Sequence, residues 1–243
     1  LDNTGGLLQA AGDLTVDTHG AALLNSGTGE SGGILAGDDL AIVSGDLDNR
    51  SGLIHAQADL DINAGRFDNR SAGVAGSGGN SLLRVSTLDN SGGTLHAGLG
   101  FDAWVKGILT NNGGLISAGE LLKLSAAAVL NRNTGGANPA TPLGLQGGGV
   151  EITTGQLDNR SGLIAADENI TLSGTADNST LNNSQGTVSS AGSLVIETGA
   201  ITNTAGTLLA ATDNRIAANS LTGDGRVLSQ GDLSLTLKSD FTN

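Results

Sequence analysis

Apolar residues recur along the chain in three short segments that always keep the same order. In residues 47–66, LDNRSGLIHAQADLDINAGR, the three segments are LDN, GLIHA and DLDIN, separated by small or polar residues. Within a segment, apolar and polar residues alternate over four or five positions, which is the period of a β-strand. No unit leaves room for a pattern with the helical period of about 3.6 residues. The pattern therefore predicts three short strands per unit.

The three segments return about every 20 residues. The octapeptide LDNRSGLI occurs without change at 47–54 and 157–164, and weaker copies lie between them. Units of 20–27 residues begin at positions 1, 23, 47, 67, 88, 109, 130, 157, 181, 201, 221 and 241. A period of this length is typical of solenoid proteins.

One position in the second segment is apolar in every regular unit. In the nine units without a preceding insertion, the residue seven after the unit start is aliphatic: Leu8, Ile54, Val74, Leu95, Ile116, Ile164, Val188, Leu208 and Leu228. A single unit buries too little to fold alone, since about 10–15 kcal/mol of apolar burial opposes roughly 20–40 kcal/mol of backbone ordering. Stacking each strand on the same strand of the next unit removes this deficit. We therefore expect an all-β fold, a right-handed parallel β-helix of about 11 rungs with three short strands per rung, as one repeat domain over residues 1–243.

The third residue of the first segment is almost always Asn. It is Asn in ten of twelve units, with Arg132 and Gly223 as the exceptions. An Asn at a turn tolerates left-handed backbone angles, and amides stacked one rung apart can hydrogen-bond along the rod. The pattern predicts an internal structural ladder, and a polar binding strip is the alternative. The ladder residues are Asn3, Asn25, Asn49, Asn69, Asn90, Asn111, Asn159, Asn183, Asn203 and Asn243.

Composition narrows the class of protein. The chain has 40 Gly, no Cys and no Met, and its formal net charge is −13 at pH 7. A hydrophobic content of 37% is too high for a disordered chain. The acidic balance argues against nucleic acid as a partner, and no apolar run is long enough to span a membrane. The absence of an initiator Met indicates a fragment of a longer polypeptide.

The repeat pattern resembles a known family. LDN-x-x-G-x-[LIV]-x-[AS]-x-x-[DE]-L-x-[ILV] is similar to the haemagglutinin repeats of filamentous haemagglutinin and of contact-dependent growth-inhibition effectors, exoproteins of Gram-negative two-partner secretion systems. The resemblance covers residues 1–243. It implies a β-helical shaft that is exported through an outer-membrane transporter, displayed at the cell surface, and able to meet a receptor on a host cell or a neighbouring bacterium. Neither a transporter-recognition domain nor a toxin domain is visible in the sequence.

Three acidic residues share one phase of the repeat. Asp48, Asp68 and Asp89 are predicted to lie about 5 Å apart on successive rungs, where they either repel one another or share a bound Ca²⁺. Arg50 and Arg70 follow two residues later and are expected to neutralise them. Because the calcium-binding nonapeptide pattern is missing, we predict no metal site and no cofactor.

Two further features carry candidate chemistry. His55 and His96 share a phase but lie two rungs apart, roughly 10 Å, which is too far for a shared metal ion. Trp104, close to Phe101, either presents a face for stacking on a sugar or fills a wider cross-section, and the second interpretation is the more usual for a lone aromatic residue in an aliphatic column.

Insertions mark where the repeat departs from regularity. The longest unit, 130–156, contains both prolines, and smaller excursions occur at 28–31, 72–80 and 175–180. Insertions in solenoids form external loops, which are common binding sites. The candidate partner-binding residues are Asn138, Pro139, Thr141 and Pro142.

The sequence as a whole predicts a monomeric, non-enzymatic shaft that spaces functional domains from the cell and contributes to adhesion. The alternative is a β-helix that binds or cleaves polysaccharides, resembling pectate lyases. Such an enzyme would carry carboxylates, a basic residue and aromatic platforms in one groove, whereas here the acids are periodic and aromatic residues are few. The sequence contains no nucleophile-elbow, phosphate-loop or zinc-protease motif, so no catalytic residue is predicted.

Overall fold

The chain folds as a parallel β-solenoid. The computed structural model describes residues 1–29, 31–135, 142–239 and 241–242, and in that part of the chain the regular elements are all strands. Every strand pairing is parallel and joins a segment to the same segment of a neighbouring unit. The fold class predicted from the repeat is confirmed.

The second segments of the units form an eleven-stranded sheet, one strand per rung. Its strands are β1 (Leu7–Ala10), β4 (Gly33–Ala36), β7 (Leu53–Ala56), β9 (Val74–Ser77), β11 (Thr94–Ala97), β13 (Leu115–Ala118), β15 (Gly144–Gly147), β17 (Leu163–Ala166), β20 (Thr187–Ser190), β22 (Thr207–Ala210) and β24 (Arg226–Ser229).

The third and first segments share a fifteen-stranded sheet. Its strands are β2 (Leu14–Asp17), β3 (Leu23–Leu24), β5 (Leu40–Val43), β6 (Leu47–Asp48), β8 (Leu60–Asp68), β10 (Ser81–Asp89), β12 (Phe101–Thr110), β14 (Leu121–Leu130), β16 (Gly149–Asp158), β18 (Ile170–Gly174), β19 (Thr180–Asn182), β21 (Leu194–Thr202), β23 (Asn214–Thr222), β25 (Leu233–Leu237) and β26 (Phe241–Thr242).

The third segment of one unit often continues into the first segment of the next. β8, β10, β12, β14, β16, β21 and β23 are such strands, each of nine or ten residues. Along β12 the pairing register shifts between Val105 and Ile108. β12 therefore has one residue more than its neighbours between the two pairing segments, as in a β-bulge.

The core is a single apolar column, aliphatic except for Phe67 and Phe101, and burial alternates along its strands. Ile54, Leu95 and Ile116 are fully buried, while the residues beside them in the same strands are more exposed. Parallel sheets that are buried on one face and solvated on the other require this period of two.

The prediction was wrong by one position for two of the nine core residues, Val74 and Leu228. Ala75, and not Val74, pairs with Ile54 and points inward, because Ala72 adds one residue to the preceding turn. Val227, and not Leu228, pairs with Leu208. Leu228 is exposed because its turn is one residue shorter than in the regular units.

The unit boundary predicted at 130 is also wrong by one residue. Val129 pairs with Leu109 on one side and with Leu157 on the other, so the unit begins at 129. Asn131 therefore takes the third position that the sequence pattern assigned to Arg132.

Candidate functional site

A continuous column of asparagine side chains runs inside the rod. The Nδ2 of each member donates to the Oδ1 of the member on the next rung, over nine bonds of 2.7–2.9 Å. We call this column the amide ladder; its members are Asn3, Asn25, Asn49, Asn69, Asn90, Asn111, Asn131, Asn159, Asn183 and Asn203. All ten are buried. Asn243, also predicted for this column, lies outside the described residues.

Backbone carbonyls fix the direction of the amide ladder. Asn49 Nδ2 also donates to the carbonyl oxygen of Val74 at 3.0 Å, and Asn90 Nδ2 to that of Leu115 at 2.9 Å. A carbonyl oxygen accepts only, so the nitrogen and not the oxygen must face it. Every hydrogen bond between neighbouring ladder side chains therefore points the same way along the rod.

The corner after each ladder residue is tightly packed. The residue two positions after the asparagine has a positive φ, as at Ser51 (51°) and Gly92 (66°), whereas the asparagine itself does not. The left-handed angle predicted for the asparagine thus belongs to the turn beside it. A Cβ added at Gly52, three positions after Asn49, would overlap the carbonyl oxygen of Asn25 and the side chain of Asn49. Glycine recurs there because no side chain fits.

Acidic and basic side chains alternate along the outside of the same corner. Arg50 lies 2.6 Å from Asp48 and 3.7 Å from Asp68, and Arg70 lies 2.8 Å from Asp68 and 3.6 Å from Asp89. Each guanidinium therefore bridges two rungs and offsets the repulsion between stacked carboxylates.

The charges in this row shift the acidities of its members. Burial raises the pKa of Asp68, but the hydrogen bonds from Arg70 outweigh it, so that the pKa lies below its ordinary value. The same holds for Asp158, whose pKa is raised by burial and lowered more strongly by hydrogen bonds from Arg160 and Arg132. Among the described residues no group of three or more His, Asp or Glu side chains is placed to hold a metal ion.

The two histidines come closer together than the sequence predicted. The rings of His55 and His96 stack with centroids 6.1 Å apart, although they lie two rungs apart in the sheet. Gly76 occupies the rung between them, and an added Cβ there would overlap the His96 ring. The 10 Å prediction was wrong because the rings lean into the space that Gly76 leaves. Burial lowers the pKa of His96, and the neighbouring His55 lowers it further.

The only tryptophan faces outward. Trp104 is 57% exposed, whereas Phe101 on the same strand is fully buried. The interpretation that Trp104 fills the cross-section is therefore wrong. Trp104 lines a groove of about 550 Å³ on the outer face of the fifteen-stranded sheet.

The described residues at the start of the proline-containing insertion are held against the rod. Thr134 is buried; its hydroxyl accepts a hydrogen bond from the backbone of Leu163 at 2.9 Å. The strands on both sides keep their pairing, since Leu115 pairs with Gly144 across the insertion. Pro142 is exposed, and Asn138, Pro139 and Thr141 lie outside the described residues.

The fold and the amide ladder define the class of protein: a parallel β-solenoid whose repeats stack through one aliphatic column and one column of amides. The haemagglutinin repeat family model matches residues 1–51, 36–98, 102–180 and 174–236. The chain belongs to this family, as its repeat pattern indicated. No curated protein and no solved structure matches the chain significantly. In the described residues no helix has the length and apolarity needed to cross a membrane.

Proposed function

We propose that the chain is a structural, non-enzymatic shaft segment of an exported filamentous protein, either an adhesin or a toxin-delivery filament. The observation that carries the proposal is the unbroken amide ladder, in which nine side-chain hydrogen bonds join ten consecutive rungs. Its role in this proposal is to hold the rungs in register. A rod of this kind separates whatever is attached to its two ends by a fixed distance.

Membership of the haemagglutinin repeat family supports the cellular part of the proposal. The shaft is exported by an outer-membrane transporter of a two-partner secretion system and displayed at the surface of a Gram-negative bacterium, where it extends toward a host cell or a neighbouring bacterium. The absence of Cys agrees with an exported protein that gains its stability from stacking. The exposed Pro142, together with the predicted residues Asn138, Pro139 and Thr141, is a candidate contact for a receptor.

The spacing role is tested by measuring the rod. Thr15 and Ser234 are exposed, and their strands belong to the same row on the first and last of eleven rungs. Because the chain has no Cys, Thr15→Cys and Ser234→Cys allow two dyes to be attached at these positions only. Ten strand spacings predict a separation of about 48 Å by energy transfer.

Removing whole rungs should shorten this distance by a fixed step. Excision of residues 181–220 removes two units and joins positions that pair in register, since Leu181, Ile201 and Leu221 share one row. The separation should fall to about 38 Å with the β-rich circular dichroism spectrum retained. The matched control removes 181–210, one and a half units, and should not fold because it joins different segments. An unchanged distance after the in-register excision contradicts the shaft.

The enzymatic alternative is tested separately. Acidic and neutral polysaccharides are incubated with the protein in the presence of calcium, and reducing ends and unsaturated products are measured. The shaft proposal predicts no turnover above buffer, and robust turnover would overturn it.

A further inference from the structure

The position of Trp104 is not explained by the core. Its neighbours Ala103 and Val105 point inward and are buried, so the strand period places Trp104 on the outside. Burial of an indole would bring a large apolar gain. Phe67 and Phe101 are buried in the rod, whereas the indole of Trp104 is left on the outer face, where it is accessible to a ligand.

The groove beside Trp104 has room for a ligand. Its floor and walls include Asn63, Arg84, Trp104, Lys106, Ser125 and Ala127. Ser125 is the register partner of Trp104 on the next rung, so a small side chain leaves the space next to the indole open. The row from Asn63 through Arg84 and Trp104 to Ser125 crosses four rungs, roughly 14 Å. Thr175, in the excursion at 175–180, lines the groove at its far end.

The groove is lined by two basic side chains, Arg84 and Lys106, and by no acidic side chain among the described residues, although Asp61 pairs with Arg84. The chain carries a formal net charge of −13, and five of its arginines belong to the aspartate row of the corner. In the groove, Arg84 Nη1 holds both carboxylate oxygens of Asp61 at 3.2 Å. This leaves Nε and Nη2 of Arg84 free to donate, as far as the described residues show. Lys106 is exposed and forms no ion pair with any described residue.

The geometry points to a binding site for an anionic saccharide, a chain of pyranose rings bearing carboxylate or sulfate groups. The indole of Trp104 offers a flat apolar surface to the C–H face of one ring. Arg84 and Lys106 make charge-assisted hydrogen bonds to the acidic group of that ring or of its neighbour. The amide of Asn63 and the hydroxyl of Ser125 are suited to sugar hydroxyls. The site adds a binding role that the shaft proposal does not require.

The sequence offers a direct probe of this site. Trp104 is the only tryptophan and the chain has no tyrosine, so indole fluorescence reports on the groove alone. The whole 243-residue chain is titrated with oligogalacturonate, chondroitin sulfate hexasaccharide and neutral cellohexaose. We expect a saturable fluorescence change with the anionic probes, with a Kd of about 0.1–1 mM for an open groove. Cellohexaose should bind at least about tenfold more weakly, and added salt should weaken the anionic binding.

Variants assign the binding to named residues. Lys106→Ala and Arg84→Ala should each raise the Kd about five- to tenfold. Lys238→Ala and Arg215→Ala are the matched controls, since they remove exposed cations on distant rungs, and they should leave the Kd unchanged. Trp104→Ala, followed by calorimetry, should lose binding at least about tenfold, whereas Trp104→Phe should retain most of it. The melting temperatures of all these variants should equal that of the wild type, because the substituted side chains are exposed.

Four results would overturn the proposal. They are the absence of a saturable change with either anionic probe, equal affinity for cellohexaose, equal competition by an acidic hexapeptide, and equal behaviour of the groove variants and their controls. Each is independent of the energy-transfer measurement, because the excision of 181–220 leaves the strands from Asn63 to Ala127 in place.

Discussion

Asn131 Nδ2 donates to Asn159 Oδ1 at 2.7 Å, although 28 residues separate the two asparagines in the chain. The longest insertion of the protein lies between them, and yet their hydrogen bond is as short as the bonds between regular units. The amide ladder therefore continues past this insertion without a break.

Loss of one ladder member should be costly. Asn131→Ala removes the acceptor of Asn111 and leaves Asn159 Oδ1 buried without its donor. Unsatisfied buried polar groups of this kind should reduce the free energy of unfolding by about 2–3 kcal/mol, measured by urea denaturation. Asn112→Ala, which replaces a less buried asparagine outside the ladder, should change it by less than about 0.5 kcal/mol. Equal effects at 131 and 112 would mean that the ladder adds nothing to stability.

The aspartate row should make stability depend on acid. The folded pKa of Asp68 lies below its ordinary value, so its contribution is complete above the unfolded pKa of about 4 and is lost as the pH falls through the folded value. Asp68→Asn should cost about 1–2 kcal/mol at neutral pH, since its arginine partners are half exposed. Its melting temperature should then fall less steeply than that of the wild type between about pH 5 and pH 2.

Asp61→Asn serves as the control for this charge effect. Asp61 also pairs with an arginine, but both side chains are about half exposed. This substitution should cost less than about 1 kcal/mol. If Asp61→Asn destabilises the protein as much as Asp68→Asn, the bridging of rungs by arginine has no special value.

Gly76 should control the titration of His96. Burial and the nearby His55 hold the pKa of His96 below its ordinary value of about 6.5. Between the unfolded and folded pKa values the unfolded chain binds more protons, so this histidine lowers stability as the pH falls through that window. Gly76→Ala should push the ring into solvent and raise its pKa, as followed by proton NMR.

A second glycine provides the comparison. A Cβ added at Gly12 meets nothing within 4 Å, so Gly12→Ala should leave the His96 titration as it is. His55→Ala should raise the pKa of His96 without any change at Gly76. An unchanged His96 pKa in both Gly76→Ala and His55→Ala would show that the stacked rings do not interact.

Adjacent substitutions in β9 should test the corrected register. Ala75 is buried in the column, whereas Val74 is only partly buried and points outward. Ala75→Asp would place an unpaired charge in the core and should cost several kcal/mol, about 3 or more. Val74→Asp should cost less than about 1 kcal/mol in the same thermal unfolding experiment. The reverse order would restore the register predicted from a fixed offset.

The repeating parts of the fold were predictable because the same residue types recur at the same positions of each unit. The aliphatic column and nine of the ten ladder residues follow from positions that recur in unit after unit. Counting from the unit start failed at three positions. The turn before Val74 is one residue longer than usual, and the turn before Leu228 is one residue shorter. Arg132 was misassigned because two apolar residues precede Asn131. The spacing from Asn69 to Gly73, four residues in place of three, was the available signal for the first of these shifts.

The groove was harder to predict from the sequence. Strict alternation from Phe101 places Trp104 outside, but the sequence does not reveal the register shift between Val105 and Ile108 beside it. Nor does it place Arg84 beside Trp104, since that neighbour is set by the register of two strands 20 residues apart. Side chains that meet across rungs depend on turn lengths, and turn lengths are where this repeat varies.

The shared direction of its side-chain hydrogen bonds makes the amide ladder polar from Asn3 to Asn203. Each side-chain amide donates a hydrogen bond to the rung on its C-terminal side and accepts one from the rung on its N-terminal side. The series ends inside the rod, because the unit after Asn203 carries Gly223 at the ladder position and Asn203 Nδ2 donates instead to the carbonyl oxygen of Arg226. The two ends of the amide ladder therefore differ chemically, with an acceptor oxygen at Asn3 and a donor nitrogen at Asn203.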